Sequence, residues 1–189
     1  MIRKGFSVAL LSATTALMVL DGNVAFCASG TWYGTNSVYA NAYWTNSYNW
    51  SAQPYPSLNQ TATFSQAGGG GRTTIDLTGL SSISNITFSS GSAYILGSNG
   101  VNQQTLVLGT NGIIQMSSSV GTNQKVNAKL QLGEDRRVGS YSLRNDHLYN
   151  VLTLAGDVTL PGSGTAGGKA LTVIGIGNGI PTESAIYAN

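Results

Sequence analysis

Side chains able to exchange protons are crowded into one stretch of this chain. Glu134-Asp135-Arg136-Arg137 is followed by Arg144, Asp146 and His147. Carboxylates and a basic group on neighbouring strands could do acid/base work on a polysaccharide, or hold Ca²⁺. The spacing argues against that use. Glu134 and Asp135 are adjacent, so on a strand they face opposite ways. The signs are mixed, as in a solvated loop whose charges pair locally. The interval from Gly133 to Val151 is long, which predicts a protruding loop. Glu134, Asp135, Arg136, Arg137, Asp146 and His147 therefore read as a solvated loop, with partner binding as its second use, and no catalytic residue is assigned. With one His and one Cys in the chain, His147 lacks the companions of a metal site. No cofactor is expected either. Gly162-Ser163-Gly164-Thr165-Ala166-Gly167 spells a dinucleotide fingerprint, but a strand pattern, Ala170 to Ile174, follows where a helix is required. Lys169 precedes Ala170 rather than the Ser or Thr of a phosphate loop.

A second candidate is aromatic. Residues 30–64 contain no charged side chain and hold Trp32, Tyr33, Tyr39, Tyr43, Trp44, Tyr48, Trp50, Tyr55 and Phe64. Exposed rings stack on sugars, so Trp32, Tyr43, Trp44 and Trp50 are candidate glycan contacts. The reading these residues favour is a cap, covering the apolar end and open strand edges of a stacked β structure, and the two can coexist.

The elements that would position these residues repeat. Ile75-Asp76-Leu77, Ile86-Thr87-Phe88, Leu130-Gln131-Leu132, Leu152-Thr153-Leu154, Val158-Thr159-Leu160 and Leu171-Thr172-Val173 alternate apolar and polar, each with glycine close behind. Leu106-Val107-Leu108 matches in part. A two-residue period turns alternate side chains to one face. Uneven return of such phrases marks a stacked β architecture, with about 20 residues per coil and on the order of five coils. Asp76 and Asp157 read as turn or solvent-face residues. Asn99-Gly100, Asn111-Gly112 and Asn178-Gly179 keep a hairpin-built β-sandwich open as the alternative.

Composition narrows the setting. Only 8% of residues are charged, against 41% hydrophobic, and the net charge is +2. Ample apolar content with little charge is the reverse of a disordered chain. No basic patch remains to neutralise phosphates, so nucleic acid is excluded as a partner. A single cysteine, Cys27, allows no intrachain disulfide. Residues 1–29 read as a secretory signal peptide: Arg3 and Lys4, an apolar run from Phe6 to Leu20, then small residues with cleavage near Ala28 to Gly30. That run is shorter than the roughly 20 residues of a membrane span, and none is expected in the mature chain.

Trp44-Thr45-Asn46-Ser47-Tyr48-Asn49-Trp50-Ser51, then Pro54 and Pro56, then Thr61-Ala62-Thr63-Phe64, resembles the start of the passenger region in bacterial autotransporter-associated β-strand repeat proteins. The similarity runs on through Thr74 to Leu77, Ile83 to Phe88 and Tyr94 to Gly97, and reaches Gly179. Asn59-Gln60 stand where that family usually carries Asp before its TATF phrase. The resemblance implies an all-β, right-handed parallel β-helix. It divides the chain into a signal peptide (1–29), an aromatic-rich cap (30–64) and a repeat region (65–189) that continues in a longer passenger. It also implies export to the cell surface and a structural or adhesive role without enzymatic activity. Extracellular glycans or the surfaces of host or neighbouring cells are the expected partners. A glycan-binding module is the alternative function, and a β-helix polysaccharide lyase or hydrolase the third.

Overall fold

A computed structural model describes residues 28–34, 42–65, 72–89, 91–133, 139–160 and 169–175. The signal segment through residue 27, Glu134 to Arg137 and the glycine-rich runs 68–71 and 162–167 lie outside the described residues. The described strands are, in order, β1 (Gly30–Thr31), β2 (Ala42–Tyr43), β3 (Leu58–Phe64), β4 (Thr74–Asp76), β5 (Ile83–Phe88), β6 (Ile95–Leu96) and β7 (Thr105–Met116). There follow β8 (Gln124–Val126), β9 (Lys129–Leu132), β10 (Gly139–Asn145), β11 (Leu152–Leu154), β12 (Val158–Thr159) and β13 (Lys169–Gly175). Among the described residues one 3-10 turn, Ser47–Asn49, interrupts them, with Asn46 Oδ1 accepting from the Tyr48 amide at its start.

Each named strand pairs in parallel with its counterparts on neighbouring coils. The fold is a parallel β-solenoid of about 4 turns. Its first face is stacked in the order β1-β3-β5-β7-β10-β13, and its second in the order β11-β8-β6-β4-β2. A third face arises because β7 turns a corner. Its first four residues pair with β9, while Ile113 to Met116 lie between β5 and β10. Asn111, at φ 61, makes that bend.

Alternation along each strand sends one apolar residue per turn of the coil into a shared column. On the first face the column is Ala62, Ile86, Ile114 and Leu143, all buried. On the second it is Ala42, Ile75, Leu96, Val126 and Leu154. On the third, Leu106 and Leu108 meet Leu130 and Leu132. Burying each such side chain contributes roughly 1.5–3 kcal/mol, and the columns leave no break in the core between coils.

Three expectations are corrected. In-register residues on the first face, from Ala62 to Val173, are 24 to 30 residues apart. The coil is therefore longer than about 20 residues, because one turn uses three strands. The two Asn-Gly pairs among the described residues turn corners or bends and join no antiparallel hairpin, so the sandwich alternative is set aside. Much of the interval from Gly133 to Val151 is strand β10 rather than a protruding loop. Tyr141 and Leu143 point into the core, and Arg144 is the outward neighbour. At the far end the core thins: Leu152, Leu154 and Leu171 are half-buried, and Leu160, Val173 and Ile174 are exposed.

Candidate functional site

The aromatic stretch folds inward. Trp32, Trp44 and Phe64 are fully buried and Trp50 nearly so. The Trp32 and Trp50 rings meet edge-on with centroids 5.0 Å apart, and Trp44 lies 4.8 Å from Trp50. Phe64 links this cluster to the next coils, stacked on Phe88 at 5.3 Å and 4.9 Å from Tyr94. Indole N–H groups taken out of water need acceptors. Trp44 Nε1 donates to Pro56 O at 2.7 Å, Trp50 Nε1 to Trp44 O at 2.6 Å and Trp32 Nε1 to Arg72 O at 3.3 Å. Trp32, Trp44 and Trp50 thus have no ring face to offer a sugar, and that expectation is corrected for all three. Tyr43 alone of the four stays half-exposed, on β2. Burial of the rings is what the cap reading, the one the residues favour for 30–64, requires.

The charged corner is assembled around β10. Asp146 Oδ1 accepts from Arg144 Nε at 2.6 Å, and Oδ2 accepts from Gln115 Nε2 at 2.8 Å. The Arg144 hydrogen bond is the chief cause that holds the Asp146 carboxyl below its usual range; burial opposes it, and Gln115 and the Arg144 charge assist. His147 closes the turn that follows. Its Nδ1 accepts the amides of Tyr149 and Asn150 at 3.0 and 2.8 Å, while Asn145 Oδ1 accepts the His147 amide. Asn150 Nδ2 then donates to Val120 O on the coil beneath. Asp146 and His147 are brought together, but each is committed to hydrogen bonds that shape the corner. The turn displays Leu148 and Tyr149, which are 52% and 77% exposed. Those two and the outer part of the Arg144 side chain, rather than Asp146 and His147, are open to a partner at this corner. Among the described residues no three His, Cys, Asp or Glu side chains gather as a metal site would require.

Two polar nodes were not foreseen. Asp76, expected at the surface, is only 5% exposed. Its Oδ1 accepts from the Thr78 amide at 2.8 Å and Gln104 Nε2 at 2.7 Å, and its Oδ2 from Ser98 Oγ at 3.0 Å. Gln104 Oε1 in turn accepts the amides of Leu77 and Ser98. Gln124, also buried, accepts the Tyr94 amide at 2.9 Å and donates to Ser92 O and Thr122 O. Both nodes satisfy corner amides and carbonyls that the strand ladders leave unpaired. They tie adjacent coils together and carry no exposed reactive group.

Burial alone would raise the Asp76 pKa, but hydrogen bonds from Thr78, Gln104 and Ser98 outweigh it and hold the carboxyl below 3.8. Asp146 is depressed as well. The unfolded chain therefore takes up these protons first on acidification. The stability contributed by both groups is complete at neutral pH and is lost as pH falls below about 3.8. Urea midpoints measured from about pH 7 to about pH 3 should hold steady and then drop. Asp76→Asn should lower the neutral value and make the acid drop shallower.

No helix among the described residues is long and apolar enough to cross a membrane. The likeness to autotransporter-associated repeats is carried by the structure as far as a β-solenoid fold. No protein-family model matches the chain, and no curated protein or solved structure is significantly similar to it.

Proposed function

We propose that the chain is an exported, non-catalytic surface element, the N-terminal β-solenoid part of an autotransporter-like passenger that acts as a rigid stalk or adhesive surface. The observation that carries this reading is the unbroken stack of parallel ladders, closed at its N-terminal end by the tryptophan cluster. Backbone hydrogen bonds join every coil to the next, so a load applied along the axis is shared over whole strands rather than borne by single side chains. Sparse charge and a polar, uncharged exterior suit a surface that meets the outside medium. The apolar run behind Arg3 and Lys4 supports export.

Expression of the full sequence in a Gram-negative host tests the reading through the N-terminus of the product. A mature chain beginning near Ala28 to Gly30, recovered outside the cytoplasm, is the expected result. An unprocessed chain retained in the cytoplasm would remove export, and the surface role with it.

A further inference from the structure

The first face turns a row of hydroxyls outward. Thr31, Thr63 and Thr87 are in-register partners on successive coils, and Gln115 continues the row. Asn85 stands in the neighbouring row, where its Nδ2 donates to Thr61 Oγ1 at 3.3 Å. Alternation fixes the direction, because Ala62, Ile86 and Ile114 in the same strands are buried. Parallel strands repeat at about 4.7–4.9 Å along the axis, and residues two apart lie about 6.6 Å away across it. The face is thus a grid of mostly hydroxyl and amide groups, interrupted by the exposed Ile113 in the row of Thr61 and Asn85. Among the described residues, no hydrogen bond takes up the hydroxyls of Thr31, Thr63 or Thr87. Strand propensity alone would be met equally by Val or Ile, as Ile113 does beside Gln115.

Charge selects the partner. From Thr31 to Gln115 the row contains no ionisable side chain. The next residue, Arg144, is paired with Asp146. A charged polymer would meet no ionisable group along the row before the Asp146-paired Arg144 at its end, whereas a neutral ligand rich in hydroxyls meets donors and acceptors from the first coil on. Single hydroxyl contacts contribute little, so a ligand that repeats along the axis gains most, each contact raising the effective concentration for the next. On the turn that leaves this face after β10, Tyr149 presents an exposed ring.

We propose that this face binds an extended, uncharged polysaccharide lying along the solenoid axis, with Thr31, Thr63, Thr87, Asn85 and Gln115 exchanging hydrogen bonds with successive sugars. The inference rests on the fold and not on export, so the two stand or fall separately. Purified chain is mixed with insoluble cellulose, β-1,3-glucan and mannan, with polygalacturonate as the acidic counterpart. Sedimentation with at least one neutral polymer is expected, unchanged at about 0.5 M salt, where exposed charge contacts are screened. Thr63→Val with Thr87→Val should weaken it about tenfold, the loss of two hydrogen bonds of modest strength. Thr153→Val, an exposed position on the second face, should leave it unchanged. Thr87→Lys, which keeps the strand and puts a charge into the row, should weaken it as well, so the test survives a poorly folded valine variant. Circular dichroism confirms that each variant retains the parent fold. Failure to sediment with any neutral polymer overturns the proposal. So does full binding by the folded valine or lysine variants, or salt-sensitive preference for polygalacturonate.

Discussion

Replacing Trp44 with alanine should lower the unfolding free energy by about 3–5 kcal/mol, the range for deleting a large buried aromatic. Trp44 is completely buried and lies 4.8 Å from Trp50 and 5.8 Å from Phe64. Its removal opens a cavity in the middle of the cluster and also strips Pro56 O of its donor. A protein of this size has only about 5–15 kcal/mol of net stability, so the variant should show an early urea transition and a weakened near-ultraviolet aromatic signal. Trp44→Phe separates the two contributions. It keeps most of the packing and loses the N–H, which leaves the carbonyl unpaired at about 1–3 kcal/mol. A Trp44→Ala chain that unfolds with the parent would mean that the cluster does not close the end of the core.

Gly97→Ala should be about as damaging, for a reason that lies in the corner geometry. Gly97 has φ +99, a conformation that L side chains rarely adopt, and a Cβ there would lie 2.7 Å from the Ala128 amide nitrogen on the next coil. The obstacle is backbone, and that backbone is engaged: the amides of Asn127 and Ala128 both donate to Leu96 O, at 2.8 and 3.1 Å. Left-handed strain together with disturbed interstrand hydrogen bonds gives an expected loss of about 2–5 kcal/mol. Gly91→Ala is the control. Beyond its chain neighbours no atom lies within 4 Å of its added Cβ, so its unfolding free energy should stay within about 0.5 kcal/mol of the parent. Equal behaviour of the two variants would contradict the close stacking of coils at this corner.

The strands were legible because their signal is local. Leu130-Gln131-Leu132 alternates, and Leu130 and Leu132 are buried. Strand β10 carried the same signal in Tyr141-Ser142-Leu143, but the charges of Arg144 and Asp146 pointed to a loop. Arg144 is an outward position near the end of the strand and Asp146 follows its last residue, so neither counts against one. The number of strands per coil was not legible. Nothing in Thr105 to Met116 tells that one run of alternation bends between two faces, apart from Gly109 and the Asn111-Gly112 pair at the bend. Partners such as Asp76 and Gln104 escaped for a different reason. They are separated by 28 residues and meet only once the coil length is fixed. Burial of the tryptophans likewise depends on which end of the core is open, a property of the assembled stack that no short window contains.

The register of the first face is the claim on which the columns, the corners and the hydroxyl row all depend. In a Cys27→Ser background, the pair Thr63→Cys and Thr87→Cys should be joined rapidly by a short bifunctional thiol reagent such as dibromobimane. The two positions are direct partners on adjacent parallel strands, about 4.8 Å apart. The pair Thr63→Cys and Arg144→Cys occupies the same row three coils apart, at about 14 Å, and should remain unlinked. Efficient linking of 63 to 87 without linking of 63 to 144 is the result a parallel solenoid requires. Linking of the distant pair, or failure of the near one in folded protein, would contradict it.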